Sequence, residues 1–230
     1  MKIVELTSYL SPLDWLAAGL MLAVSIVLGP LIEADNRWRP SVSVLMRDYR
    51  REWMQRFVTR QPRLYDATVL DGLRQGITFY ASACMISIGG GLALVGNTAP
   101  LQGLAQEITL VDASALALRI KILFSLGFAA NAFLKFVWAH RLFGYCSIMM
   151  AAVPNDPDDP EGLPRAAQAA EVNITAARNY NRGLRSVYFA LGSLGWLLGA
   201  EALLIATAVT TATLLRREFA SQSRAAMLRR

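Results

Sequence analysis

Histidine and cysteine are nearly absent from this sequence. It has one histidine, His140, and two cysteines, Cys84 and Cys146, both inside apolar stretches and neither in a CxxC pair. A zinc site or a disulfide framework needs more of these residues at closer spacing, so no metal and no cofactor is expected. Charge is scarce too. Asp, Glu, Lys and Arg make up 17% of the chain, against about a quarter in an ordinary soluble domain. No nucleophile triad, phosphate-binding loop or dinucleotide motif is present, which leaves no catalytic residue to name and predicts a protein that is not an enzyme. The acidic run Asp156, Asp158, Asp159 and Glu161 fails as a calcium loop. Pro160 stands where a ligand is needed and no Glu follows at the right spacing. It reads as a solvated turn before a helix.

Apolar residues are what the chain has in quantity. They make up 54% of its 230 residues, and long apolar runs alternate with charged blocks. That alternation is the pattern of a membrane protein. The net charge is +6, carried mostly by Arg in the gaps between apolar runs. Cations so placed set orientation across a bilayer, and nucleic acid is not the expected partner.

Four runs are long enough to span, since a helix needs about 20 residues to cross. They cover about 13–32, 77–95, 118–138 and 187–215, and the third continues as a helix to 153, where Pro154 stops it. The fold class is therefore an all-α integral membrane four-helix bundle, with extended helices and a small helical cytoplasmic layer, in one membrane domain over 1–230. The uneven helix content of the gaps supports that layer. Val42, Leu45, Met46, Tyr49, Trp53 and Phe57 recur at three- and four-residue spacing, and Ala166, Ala170, Ile174 and Ala177 do the same. Either helix is a partner for the apolar stripe Leu142, Tyr145, Cys146, Met149, Met150 and Val153 beyond the third span.

Positive charge fixes the expected orientation. Loops 33–72 and 154–185, with their flanks, carry 14 basic residues, and the termini with the second loop carry 8. The bias puts both loops in the cytoplasm and both termini outside, in the inner membrane of a bacterial cell. The basic tail, with Arg216, Arg217, Arg224, Arg229 and Arg230, argues weakly the other way.

Three groups of polar residues are candidate sites. Glu201 lies within the fourth run, where a carboxylate is paired, neutral or functional. Counting helical rise puts Lys121 and Arg119 within reach of it. The alternatives are an ion pair, an ion path, or a position facing water at the outer interface. Lys135, His140, Arg141 and Tyr145 form a boundary cluster at the inner end of the third span, where Lys135 can snorkel to headgroups. Arg47, Arg50, Arg51 and Trp53 on the basic amphipathic helix suit anionic inner-leaflet lipid. The competing reading packs that helix on the cytoplasmic extension. Gly89, Gly90, Gly91, Gly192, Gly195 and Gly199 predict close helix packing, within the chain or with another.

The run FVWAHRLFGYCSIMMAAVP, then NYNRGLRSVYFALGSLGWLLG, then RREFAS resembles a bacterial and plant membrane family known as domain of unknown function 599. The resemblance covers nearly the whole chain after the first span. It implies a multi-span membrane protein and carries no catalytic residues to transfer. The expected role is a non-enzymatic accessory or scaffolding protein acting by helix packing and lipid contact, as a homo-oligomer or with a membrane-complex partner. The alternatives are a small oligomeric channel or transporter using Glu201, and a membrane enzyme without a recognisable motif.

Overall fold

The structure is a computed structural model that describes residues 9–36, 38–99 and 114–229. Lys2, Arg37 and Arg230 of the charge count lie outside the described residues. Every regular element among those described is helical. In chain order they are α1 (Pro12–Glu33), α2 (Val42–Thr59), α3 (Leu64–Gly96), α4 (Ala115–Ala151) and α5 (Gly162–Ser193). A 3-10 turn, Leu194–Leu198, then leads to α6 (Ala200–Phe219) and α7 (Gln222–Leu228). Three of them, α1, α3 and α4, are long and apolar enough to cross a membrane.

Helix ends follow local chemistry. Ser11 and Asp14 cap α1 reciprocally: the Ser11 backbone N–H donates to Asp14 Oδ2 at 2.9 Å, and the Asp14 N–H donates to Ser11 Oγ at 3.2 Å. Pro30 does not stop α1, which runs on to Glu33. Ser41 caps α2 by accepting from the Val44 N–H at 3.1 Å. The same hydroxyl donates to the carbonyl of Ile32 at 2.7 Å.

The chain divides into two compact units. The first holds Met1–Leu31, Ala83–Ala132 and Leu184–Arg216, and the second Ile32–Ser82, Phe133–Gly183 and Arg217–Arg230. In the first, α4 meets α5 through aromatic and serine contacts. Phe128 stacks on Phe189 with ring centroids 5.8 Å apart. Ser193 Oγ donates to Ser125 Oγ at 2.7 Å, and Ser186 Oγ donates to the Phe128 carbonyl at 2.7 Å. These buried hydroxyls are hydrogen-bonded within the unit, as burial requires.

The predicted single helix over 187–215 is not what forms. The chain is helical to Ser193, tightens into the 3-10 turn, passes Gly199 at φ 126 and ψ 170, and starts a new helix at Ala200. That backbone region is open essentially to glycine alone. The two arms then pack on each other. A Cβ on Gly192 would lie 2.7 Å from Thr210 Oγ1, and one on Gly195 would lie 3.2 Å from the Ala202 carbonyl oxygen. Gly192 and Gly195 therefore serve an intramolecular helical hairpin, and Gly199 turns it. The apolar run hides the break because no proline marks it and Glu201 is the one charge near it.

In the second unit the extension of α4 buries Leu142, Cys146, Met150 and Val153 of the predicted stripe, with Met149 half-buried and Tyr145 exposed, and it also buries Phe143. The predicted face of α5, Ala166, Ala170, Ile174 and Ala177, is buried as well. On α2 the stripe is rotated from the expected one: Val44, Met54, Phe57 and Val58 are the buried residues. Arg47 and Arg50 are half-buried beside that stripe, and Arg51 is exposed. The C-terminal segment belongs to this unit too. Ser43 donates from its backbone N–H and its hydroxyl to the Glu218 carboxylate at 3.0 Å each. Arg224 Nε donates to the Pro40 carbonyl at 2.8 Å. The tail is thus joined to the first loop, where the sequence placed it opposite that loop.

Candidate functional site

Arginines of the second unit close the open ends of helices. The last carbonyls of a helix lack partners within it and attract cations. Arg47 Nη2 donates to the Glu33 carbonyl that ends α1, at 2.8 Å. Arg165 Nη1 donates to the Ala152 carbonyl just past α4, at 3.0 Å. Arg63 bridges two ends: it donates to the Val153 and Pro154 carbonyls at 2.7 and 2.6 Å, and to the Val58 carbonyl of α2 at 3.2 Å.

The remaining predicted lipid contacts also have partners within the protein. Arg50 Nη1 donates to Asn173 Oδ1, and Asn173 Nδ2 donates to Cys146 Sγ at 3.4 Å. Burial pushes the Arg50 guanidinium pKa down, yet arginine stays charged in proteins. Arg51 Nε donates to Glu171 Oε1 at 2.9 Å, and that bond holds its pKa up. Trp53 Nε1 donates to Asp66 Oδ1 at 2.6 Å, and Arg60 pairs with the same buried carboxylate. Each of Arg47, Arg50, Arg51 and Trp53 thus donates to a partner on α1, α3 or α5, while the Arg51 side chain stays exposed. Sequence spacing showed a basic face but not that helix ends and a buried amide would meet it.

Of the boundary cluster, two members come together. Arg141 Nε donates to the Tyr145 hydroxyl one turn along α4, with the guanidinium 5.5 Å from the ring centroid. Lys135 and His140 are half-buried on the same helix, and among the described residues neither bonds to that pair.

Glu201 stands in the first turn of α6, exposed, where an acid favours a helix N-terminus. Among the described residues no ion pair joins it to Lys121 or Arg119. The depth count that paired them assumed one continuous helix from 187, and the turn at Gly199 removes that premise. Lys121 instead lies with its ammonium 5.9 Å from the Trp196 ring centroid, and Trp196 Nε1 donates to Asp14 Oδ1 at 2.6 Å. Arg119 is exposed. Sequence reading missed Asp14 as a site residue. The Ser11 to Asp14 spacing signals a helix start, but nothing local signals Trp196.

One concavity of the second unit joins polar and apolar groups. It is an open groove of about 500 Å³ lined by Phe57, Arg63, Ala67, Leu70, Asp71, Arg74, Ser147, Met150, Ala151 and Asn155. Arg63 lies 4.4 Å from the Phe57 ring centroid. The Nε atoms of Arg63 and Arg74 are buried and meet no protein acceptor. Among the described residues neither arginine is in an ion pair, and no group of three metal-ligating side chains occurs. The groove can take an anion with an apolar portion.

A family described as a protein of unknown function, DUF599, matches residues 16–223. No curated protein and no solved structure matches the chain.

Proposed function

We propose, for a chain that belongs to the DUF599 family, a non-enzymatic accessory role in a membrane, exercised by helix docking and lipid contact. The observation that carries this reading is the packing of α3. Only 11% of its apolar window is buried, against 28% for α1 and 33% for α4. Gly91 alone of its glycine triplet packs, against Leu126, whereas a Cβ on Gly89 or Gly90 would meet nothing within 4 Å. Exposed small residues let a second helix approach closely in lipid. The occupant is a transmembrane helix of another copy or of a membrane-complex partner.

In this reading α1, α3 and α4 cross the bacterial inner membrane. The α5–α6 hairpin enters and returns, because its ascending part over 184–198 rises only about 22 Å, short of the roughly 30 Å of hydrocarbon. Its buried hydroxyls Ser186, Ser193 and Thr207 are tolerated there because they bond within the protein. The hairpin puts the tail on the face that carries loops 33–72 and 154–185. The basic tail then adds to the positive-inside bias instead of opposing it, and that face is cytoplasmic.

The test is the mass of the assembly ejected gently from lipid nanodiscs. A homo-oligomer, or co-ejection with another membrane protein, is the expected result, with loss of the partner in Gly89→Leu/Gly90→Leu. A monomer carrying only lipid would sink the docking role.

A further inference from the structure

We infer that the groove between α2, α3 and α4 in the second unit binds the phosphate of an anionic phospholipid, with Arg74 as its principal ligand. The first argument is charge. Two guanidinium groups, Arg63 and Arg74, line the groove against one carboxylate, Asp71. Arg63 binds neutral carbonyls only, so its charge is not cancelled. Arg74 has no ion pair and no side-chain hydrogen bond to a protein acceptor among the described residues, and its Nε is buried. A buried N–H without an acceptor is costly, and a phosphate oxygen supplies a charge-assisted bond in the fork geometry that guanidinium prefers.

The second argument is shape and polarity. Phe57, Leu70 and Met150 offer an apolar wall beside the two cations. A phosphate ester on an apolar stem matches that division, whereas a small inorganic anion would leave the wall unused. The third argument is position along α3. Arg74 stands one turn before the apolar stretch that starts at Ile77, which is headgroup level if α3 crosses the bilayer. The choice of lipid as the phosphate source therefore rests on the membrane reading above, while the phosphate site itself does not. Asp71, exposed at the groove, opposes the anion and limits its affinity.

The experiment is a titration of the purified full chain, read by native mass spectrometry, with three probes. They are phosphatidylglycerol, phosphatidylcholine and glycerol 3-phosphate. The expected result is preferential binding of phosphatidylglycerol, weakened about tenfold in Arg74→Gln by loss of a charge-assisted bond. Asp71→Asn should tighten it. Ala67→Trp should fill the groove while keeping both arginines, which covers the case in which Arg74→Gln fails to fold. Arg56→Gln, on the exposed side of α2, should bind as the parent does. Equal binding of phosphatidylglycerol by the parent, Arg74→Gln and Ala67→Trp would overturn the site. Glycerol 3-phosphate bound as tightly as the lipid, and lost in Arg74→Gln, would keep the phosphate site and overturn the lipid source.

Discussion

Arg50 shows how a single buried cation is accommodated without a carboxylate. Its partner is the amide of Asn173, itself fully buried and bonded onward to Cys146. Asn173→Ala should leave the guanidinium with no acceptor and cost about 2–3 kcal/mol, read as a lower thermal midpoint in detergent. Replacing both partners by apolar residues, Arg50→Met with Asn173→Leu, should recover most of that loss, because paired removal leaves no orphaned group. A double variant no more stable than Asn173→Ala would contradict the account. Gly199 is the other decisive residue. At φ 126 it holds a conformation that a side chain resists, so Gly199→Ala should destabilise by about 1–3 kcal/mol in the same measurement.

At the scale of elements, two glycine-bearing segments behave oppositely. Gly195 in the 3-10 turn after α5 faces the backbone of α6, and Gly195→Leu should force the hairpin apart at a cost of about 1–3 kcal/mol. Gly89 in α3 faces nothing, and Gly89→Leu should leave the thermal midpoint of the isolated chain unchanged while weakening assembly. Comparable losses for both would remove the distinction between an internal seam and a free face. Both glycine runs read as packing surfaces in the sequence, since small residues at helical spacing look alike whatever they touch. The partner is a tertiary fact. One local signal did exist at the hairpin: Gly199 followed two residues later by Glu201 is the punctuation of one helix ending and another starting. The apolar residues around it outweighed that signal.

For the whole molecule, the proposed orientation predicts that the tail shares the cytoplasmic face with loops 33–72 and 154–185. Single cysteines placed at Asn97, Asp158 and Gln222, all exposed positions, give a direct reading. With a membrane-impermeant maleimide on intact cells stripped of the outer membrane, Asn97→Cys should label, whereas Asp158→Cys and Gln222→Cys should label only after lysis. Labelling of Gln222→Cys in intact cells would place the tail outside and restore the four-span count. Cys84 and Cys146 are buried and contribute little background.

The sequence by itself determined the helical class, the three apolar helices, the reach of α4 to the residues before Pro154, and the buried faces of α4 and α5. Each of these follows from hydropathy and helical period, which are properties of a few neighbouring residues. The family was legible there as well, through the pairing of the α4 and α5 segments. Tertiary contacts were needed to show that the last apolar run folds back on itself, that Glu201 opens a helix, and that Arg47, Arg50 and Arg51 have partners on α1 and α5. A guanidinium satisfies equally a lipid phosphate, a carboxylate or the carbonyls at a helix end. Which of these it meets depends on residues distant in the chain, and no periodicity within one helix encodes them.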